Sequence, residues 1–371
     1  MDFFLDTYEE CRAAFLQIAK QAIKVFPGSY LSHISAGKSG DVDALLIRKK
    51  KKPASKLVLI SSGVHGVEGF VGSALQRKIL SEMIQGSFFL PGDVLFLHGI
   101  NPYGFKNCRR VNESNVDLNR NFYLKRERVP KKEKNKGYRK FVSFFKPGLR
   151  FSFYPLELLL FVSRLAFILI KYGSRQFSDA ALTGQYEYKK GIYYGGKKPE
   201  PVVRNLRRFF KKTMKEYAEL LVLDIHTGYG DSGKIYLFQN SPPGSSEDKN
   251  IRKISDSLPL LRPDSEGYYR TAGDFIDFPG RIFPAGKRLF PLTFEIGSCD
   301  NLRMAGVLRS SFITVAENRI YHHGALLPWT EKRIKRKFLR LFYPESEEWR
   351  KKVLRDSIYL FRTICDRFGR V

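Results

Sequence analysis

Four short apolar runs, each ending in small or polar residues, most constrain how this 371-residue chain folds. They are Lys56–Ile60 (KLVLI), Val94–Ile100 (VLFLHGI), Leu220–Ile225 (LLVLDI) and Pro291–Ile296 (PLTFEI). Runs of this length, rich in Leu, Val and Ile, read as buried strands. Between and around them the pattern turns helical, at residues 4–25, about 69–84, 155–180 and 200–219. Strand-like and helix-like segments in alternation predict an α/β fold. Residues 125–150 are basic and aperiodic, so they read as a long loop or insertion, and Pro242–Ser246 reads as a loop. From about Thr330 the chain reads as a basic helical stretch, a break at Pro344, then an amphipathic helix bearing Trp349, Val353, Leu360 and Ile364.

Ligands of open α/β sheets bind beyond the carboxyl ends of the strands. The polar residues at those ends are therefore the candidates for chemistry. His65 and Glu68 follow the first run, in a Gly-rich turn; His226 ends the third run, and Glu295 sits in the fourth. A histidine and a carboxylate three positions apart can face one cation, and His226 offers a third ligand of the kind zinc takes. Taken alone, the His65–Glu68 pair is weak evidence, because such pairs are common by chance and a single histidine at a strand end is usually a structural residue. Glu295 between Phe294 and Ile296 needs either a task, such as general base, or an arginine partner. Asp224 either orients His226 or caps the strand end. The segment Arg109–Phe122 is dense in Arg and Asn, suited to gripping a carboxylate or an oxyanion, or to a network of turns. His33, His98, His322 and His323 lack partners at useful spacing and read as structural.

Net charge is +28, spread along the chain, with dense runs at Lys49–Lys52, Lys125–Lys140 and Lys332–Arg340. Such a field favours acidic or anionic partners, or simply makes a solvated surface. No nucleic-acid-binding motif is present, and no specific nucleic acid is expected. Hydrophobic residues at 43% exclude global disorder. The four cysteines are scattered and suit a reducing compartment, and Met1–Arg12 is acidic rather than signal-like, so a cytoplasmic location is expected. Phe151–Ile170 is as long as a membrane span, but Pro155, Glu157 and Arg164 interrupt it. It reads as a buried or groove-forming helix. A peripheral membrane contact through 151–175 is the alternative, flanked by Lys146, Arg150, Lys171 and Arg175.

The motifs HGVEG, RRVNESNVDLNRNF, LDIHTG and FEIGS, with SSGVHGVEGFVGSALQ, NPYGF, GQYEYKKGIYYGG and YPESEEW, together resemble the zinc carboxypeptidase family. The likeness is to a poorly characterised bacterial branch, a domain of unknown function, over nearly the full length. That resemblance implies a mixed eight-stranded sheet with helices on both faces. It implies one zinc ion on His65, Glu68 and His226, with Arg110 polarising the scissile carbonyl and Glu295 as general base and acid. Asn119 and Arg120 then hold the free carboxylate of a small peptide or N-acyl amino acid. Tyr268 and Tyr269 are the candidates for the family's active-site aromatic. The expected organisation is a catalytic domain over 1–330 with a basic insertion near 125–180, and a C-terminal helical extension over 331–371 packed on it. The expected function is a zinc-dependent hydrolase of an amide next to a free carboxylate, either carboxypeptidase or N-acyl amino acid deacylase. A non-catalytic, basic, membrane-surface or nucleic-acid-binding protein on a hydrolase scaffold is the competing class.

Overall fold

The computed structural model describes residues 2–48, 50, 53–88, 91–124, 135–262, 272–299 and 304–371. Its strands are β1 (Tyr30–Ser35), β2 (Asp41–Ile47), β3 (Lys56–Ser62), β4 (Asp93–His98), β5 (Glu219–Thr227), β6 (Ile235–Phe238), β7 (Leu260–Leu261) and β8 (Arg288–Ile296). They form one eight-stranded sheet in the order β1-β2-β4-β3-β5-β8-β6-β7. The centre, β4-β3-β5-β8, is parallel, and β2 and β6 join its two sides antiparallel. The sheet is therefore mixed, as expected.

The four apolar runs are the four central strands, and all are covered on both faces. Alternate side chains of β3 divide between two cores, Val58 and Ile60 on one side, Leu57 and Leu59 on the other. That division is the two-residue period of a strand expressed as packing. The two antiparallel strands β1 and β2 were not foreseen. Their patterns, YLSHIS and DVDALLI, mix polar residues into the apolar ones.

The helices are α1 (Tyr8–Val25), α2 (Gly69–Ile84), α3 (Pro102–Lys106), α4 (Lys136–Lys140), α5 (Val142–Phe145) and α6 (Tyr154–Tyr172). They continue with α7 (Ser174–Leu182), α8 (Pro201–Thr213), α9 (Ser246–Ile254), α10 (Met304–His323), α11 (Pro328–Phe342) and α12 (Glu347–Arg370). Helices α1, α2, α9 and α12 pack on one face of the sheet. Helix α8 covers the other with Phe275 and Phe278. A third core joins α4–α7 to α10 and α11.

Three boundaries differ from the sequence reading. The helix expected over 155–180 is two helices, divided at Gly173, whose φ of +79° favours glycine. The helix expected over 200–219 stops at Thr213, because Glu219 already begins β5. The stretch read as loop over 125–150 carries α4 and α5 in its described part, held by buried Tyr138, Phe144 and Phe145. Helix α10 was not foreseen.

Helix α12 is well capped: the Ser346 hydroxyl accepts from the Trp349 N–H at 3.2 Å, with Glu347 and Glu348 in the first turn. Trp349 Nε1 donates to the Gly297 carbonyl at 3.0 Å, and Phe361 stacks on Phe294 with centroids 4.3 Å apart. Both contacts grip the end of β8 that carries Glu295.

Candidate metal centre and catalytic cavity

The site lies where β3, β5 and β8 end side by side. After Ser62 the chain turns through Gly63, at φ +70°, and presents His65. The amides of Gly66 and Val67 donate to the carbonyls of Arg110 and Arg109 at 3.2 and 2.9 Å, so the turn is tied to the Arg-rich segment. Gly66 is required there. A Cβ at this position would meet the Gly104 backbone at 2.1 Å. The NPYGF segment thus packs directly under the HGVEG turn.

His65, Glu68 and His226 come together, all buried, with one donor atom from each lying within 4.8 Å of the others. His226 stands between two carboxylates. Its Nδ1 is 2.9 Å from Glu68 Oε2, and its Nε2 is 2.7 Å from Asp224 Oδ2. Ser61 Oγ donates to the other Asp224 oxygen at 2.7 Å. Asp224 therefore orients the His226 ring rather than capping a strand. Burial opposes a charge on His226, but Asp224 and Glu68 outweigh it and raise its pKa well above the ordinary value. Burial also pushes Glu68 up, yet His65, His226 and Arg110 carry it below the usual carboxylate range.

Asp117 is the hinge of the other half. Its Oδ2 takes Arg110 Nε at 3.1 Å, and its Oδ1 takes the Asn119 amide at 3.0 Å. His65 Nδ1 lies 3.3 Å from Asp117 Oδ1, outside hydrogen-bond geometry. Burial disfavours the Asp117 charge, but Arg110, His65 and Arg120 hold its carboxyl well below the usual range. Arg110 Nη2 is 2.7 Å from His65 Nε2, its Nη1 is 3.6 Å from Glu68 Oε1, and its guanidinium lies over the Tyr193 ring at 5.2 Å. Burial and Arg110 lower the His65 pKa, favouring the neutral ring that a metal ligand requires.

Glu295 pairs with His226 in the β5–β8 register and accepts the Tyr229 N–H at 2.9 Å through Oε1. Burial, and then the Glu68 carboxylate, push it up to about 8, against His226, Tyr229 and Arg110. A carboxyl poised near neutrality is able to take and return a proton.

Asn119 and Arg120 line the same cavity. Asn119 Oδ1 accepts the Phe275 amide at 2.8 Å, and Arg120 bonds the carbonyls of Asn119 and Leu182 and faces Asp274 at 3.6 Å. Tyr268 and Tyr269 lie outside the described residues. Tyr193, not singled out from the sequence, lines the cavity beside Arg110 at φ +54°, unusual for a tyrosine. Its signal was the GIYYGG stretch, where paired glycines mark unusual backbone. The cavity is about 530 Å³. Besides the polar cluster, its lining includes the apolar Phe144, Phe145, Leu165, Leu169 and Phe177.

The family described as a protein of unknown function, DUF2817, matches residues 4–356. The chain belongs to this DUF2817 family. No curated protein sequence matches it. Among solved structures, it is similar to a carboxypeptidase A from Helicoverpa armigera at 15% identity and TM-score 0.48, over 92% of this chain and 75% of the other. A bovine thrombin-activatable fibrinolysis inhibitor, solved with a tick carboxypeptidase inhibitor, matches at 15% identity and TM-score 0.48, over 90% and 96%. A metallo-carboxypeptidase from Burkholderia cenocepacia matches at 12% and 0.43, over 94% and 69%.

The residues fit a divalent metal. Two imidazoles and one carboxylate are the donor set of a catalytic zinc site that keeps a position open. A cluster in which buried Glu68, Asp117 and Asp224 face one guanidinium and two imidazoles is also a place that favours a further cation.

Proposed function

We propose that this DUF2817 chain is a zinc-dependent hydrolase that cleaves an amide bond next to a free carboxylate. The observation that carries this reading is the placement of Glu295 opposite His226 at the edge of the His65–Glu68–His226 cluster, with Arg110 on its other side. His65, Glu68 and His226 would hold the ion, with Asp224 fixing the His226 ring. Zinc, when bound, supplies Lewis acidity and eases ionisation of a water molecule. Glu295 takes a proton from the attacking water and later delivers it to the leaving amine. Arg110 points its donors at the scissile carbonyl and meets the charge that gathers on its oxygen. Arg120, at the cavity wall, sets the position of the substrate carboxylate, with Asn119 beside it.

The apolar part of the lining suits removal of a hydrophobic acyl group from an N-acyl amino acid. It suits a peptide substrate with a large apolar residue equally, so the leaving group separates the two.

Elemental analysis of the purified chain tests the reading first. About one zinc per chain is expected, lost in both His65→Ala and His226→Ala. Hydrolysis of short peptides and of N-acyl amino acids is then compared with and without chelator. Full metal content in both variants, or activity indifferent to chelation, would overturn the assignment.

A further inference from the structure

Helix α6 carries apolar residues on both its buried and its exposed sides. Its inner residues Phe161, Leu165 and Ile168 are buried in the third core, and Leu165 and Leu169 also wall the catalytic cavity. Its exposed side carries Leu156, Leu159, Leu160, Ala166, Phe167 and Ile170, with Ser163 among them and Arg164 beside them. Leu159 is 63% exposed, Phe167 60% and Ile170 87%. Contiguous exposure on this scale marks a surface built to be covered. Segment 324–326 pairs with Phe151, through bonds from the Phe151 amide to Gly324 and from the Leu326 amide to Phe151, at 3.0 and 2.8 Å. Exposed Phe153 follows that pairing on one segment, and exposed Leu326 and Trp329, the latter 65% exposed at the start of α11, follow it on the other.

Cations surround the strip. Arg164 and Lys171 project from α6 itself, and Arg150 bonds the Ala325 carbonyl at its N-terminal end. Arg333 and Lys337 of α11 lie over the Tyr154 ring at 4.7 and 5.4 Å. The one carboxylate inside the α6 sequence, Glu157, is buried and paired with Arg319 at 2.7 Å. An apolar strip with an aromatic end and a basic border is complementary to one kind of partner, the headgroup and acyl boundary of an anionic bilayer. No helix of the described residues is long and apolar enough to cross a membrane. The helix lies along the surface rather than through it.

We propose that α6, with the Phe153–Trp329 corner, docks this protein on an anionic lipid surface. Ser174, at the start of α7 just after α6, and Met304 are both exposed and both line the cavity. Docking sets that rim at the bilayer, where an amphiphilic substrate enters without crossing water.

Docking requires no catalysis, so the full chain is tested directly for sedimentation with vesicles. Phosphatidylcholine mixed in equal parts with phosphatidylglycerol is compared with phosphatidylcholine alone, at low and high salt. Binding about tenfold tighter to the anionic vesicles is expected, weakening as salt rises. Emission of Trp329 is expected to shift to the blue on binding, while buried Trp349 stays unchanged. Phe167→Glu and Ile170→Glu are each expected to weaken binding about tenfold at an unchanged melting temperature. Ile170, the more exposed, serves if Phe167→Glu fails to fold. Equal binding by folded variants would overturn the proposal, since charge alone would then explain attachment. Retention of an oligonucleotide without vesicle binding, or a dimer split by Ile170→Glu without vesicle binding, would overturn it as well.

Discussion

Asp224 and His226, two residues apart on β5, face each other through Oδ2 and Nε2 at 2.7 Å. Side chains at this spacing share one side of a strand, so the carboxylate holds the ring from behind and leaves Nδ1 toward Glu68. Asp224→Asn keeps the shape and removes the charge. Zinc affinity, measured by competition with a chelating dye, is expected to fall about 10- to 100-fold with the fold intact. An unchanged affinity would show that His226 needs no such support.

Glu295→Gln separates binding from chemistry. The side chain is no candidate ligand, so metal content should match that of the wild type. Turnover on any amide substrate the chain accepts is expected to drop by roughly 10²- to 10⁴-fold. Measured kcat alongside elemental analysis checks both halves. Loss of metal in this variant would instead make Glu295 part of the ligand set.

His98, which is not part of the cavity lining, links stability to pH. Its ring is buried, stacked on Phe15 at 4.3 Å and bonded to Ser73 Oγ at 3.0 Å. Burial first, with Arg77 and Arg12 adding and Asp43 opposing, holds its pKa down at about 4. The unfolded chain takes up this proton near the ordinary value of about 6.5. As pH falls, protons therefore bind the unfolded chain first. The contribution of His98 is complete above about pH 6.5 and is lost progressively down to about pH 4, to the extent of about 3 kcal/mol. Denaturant unfolding of the wild type and His98→Asn across that range is expected to show the gap between them narrowing toward acid. A gap independent of pH would rule out this linkage.

Phe361 tests whether α12 is integral to the catalytic fold. Phe361→Ala removes the ring stacked on Phe294 and leaves a cavity against β8, a change expected to cost about 3–5 kcal/mol. A lower denaturant midpoint at an unchanged slope would report it. Because Phe294 neighbours Glu295, activity is expected to fall with stability.

Much of the fold was legible because its signals are local. The runs at 56–60, 94–100, 220–225 and 291–296 are dense enough in branched apolar residues to declare buried strands, and all four became the parallel centre of the sheet. Strands β1 and β2 were not, since short segments with polar interruptions are strands only once paired. Helix α10 also escaped notice. Its apolar residues fall on no single stripe, because it meets α6 and α11 as well as the cavity. The break at Gly173 was hidden for the opposite reason. Phe177 and Ala180 resume a helical spacing just beyond it, and the backbone turn divides the two stretches.

By itself the sequence determined the strand-ending turns, the His65–Glu68 pair and the Arg- and Asn-rich segment. These follow from residue types a few positions apart, where steric preference and periodicity act. Tertiary structure alone decided which of those residues meet. It set Asp117 between Arg110 and His65, brought Tyr193 to the cavity, and turned Glu295 toward His226 across neighbouring strands. It also decided that one side of α6 stays in solvent. Such contacts join residues tens or hundreds of positions apart, and burial and chain crossing fix them rather than any local propensity.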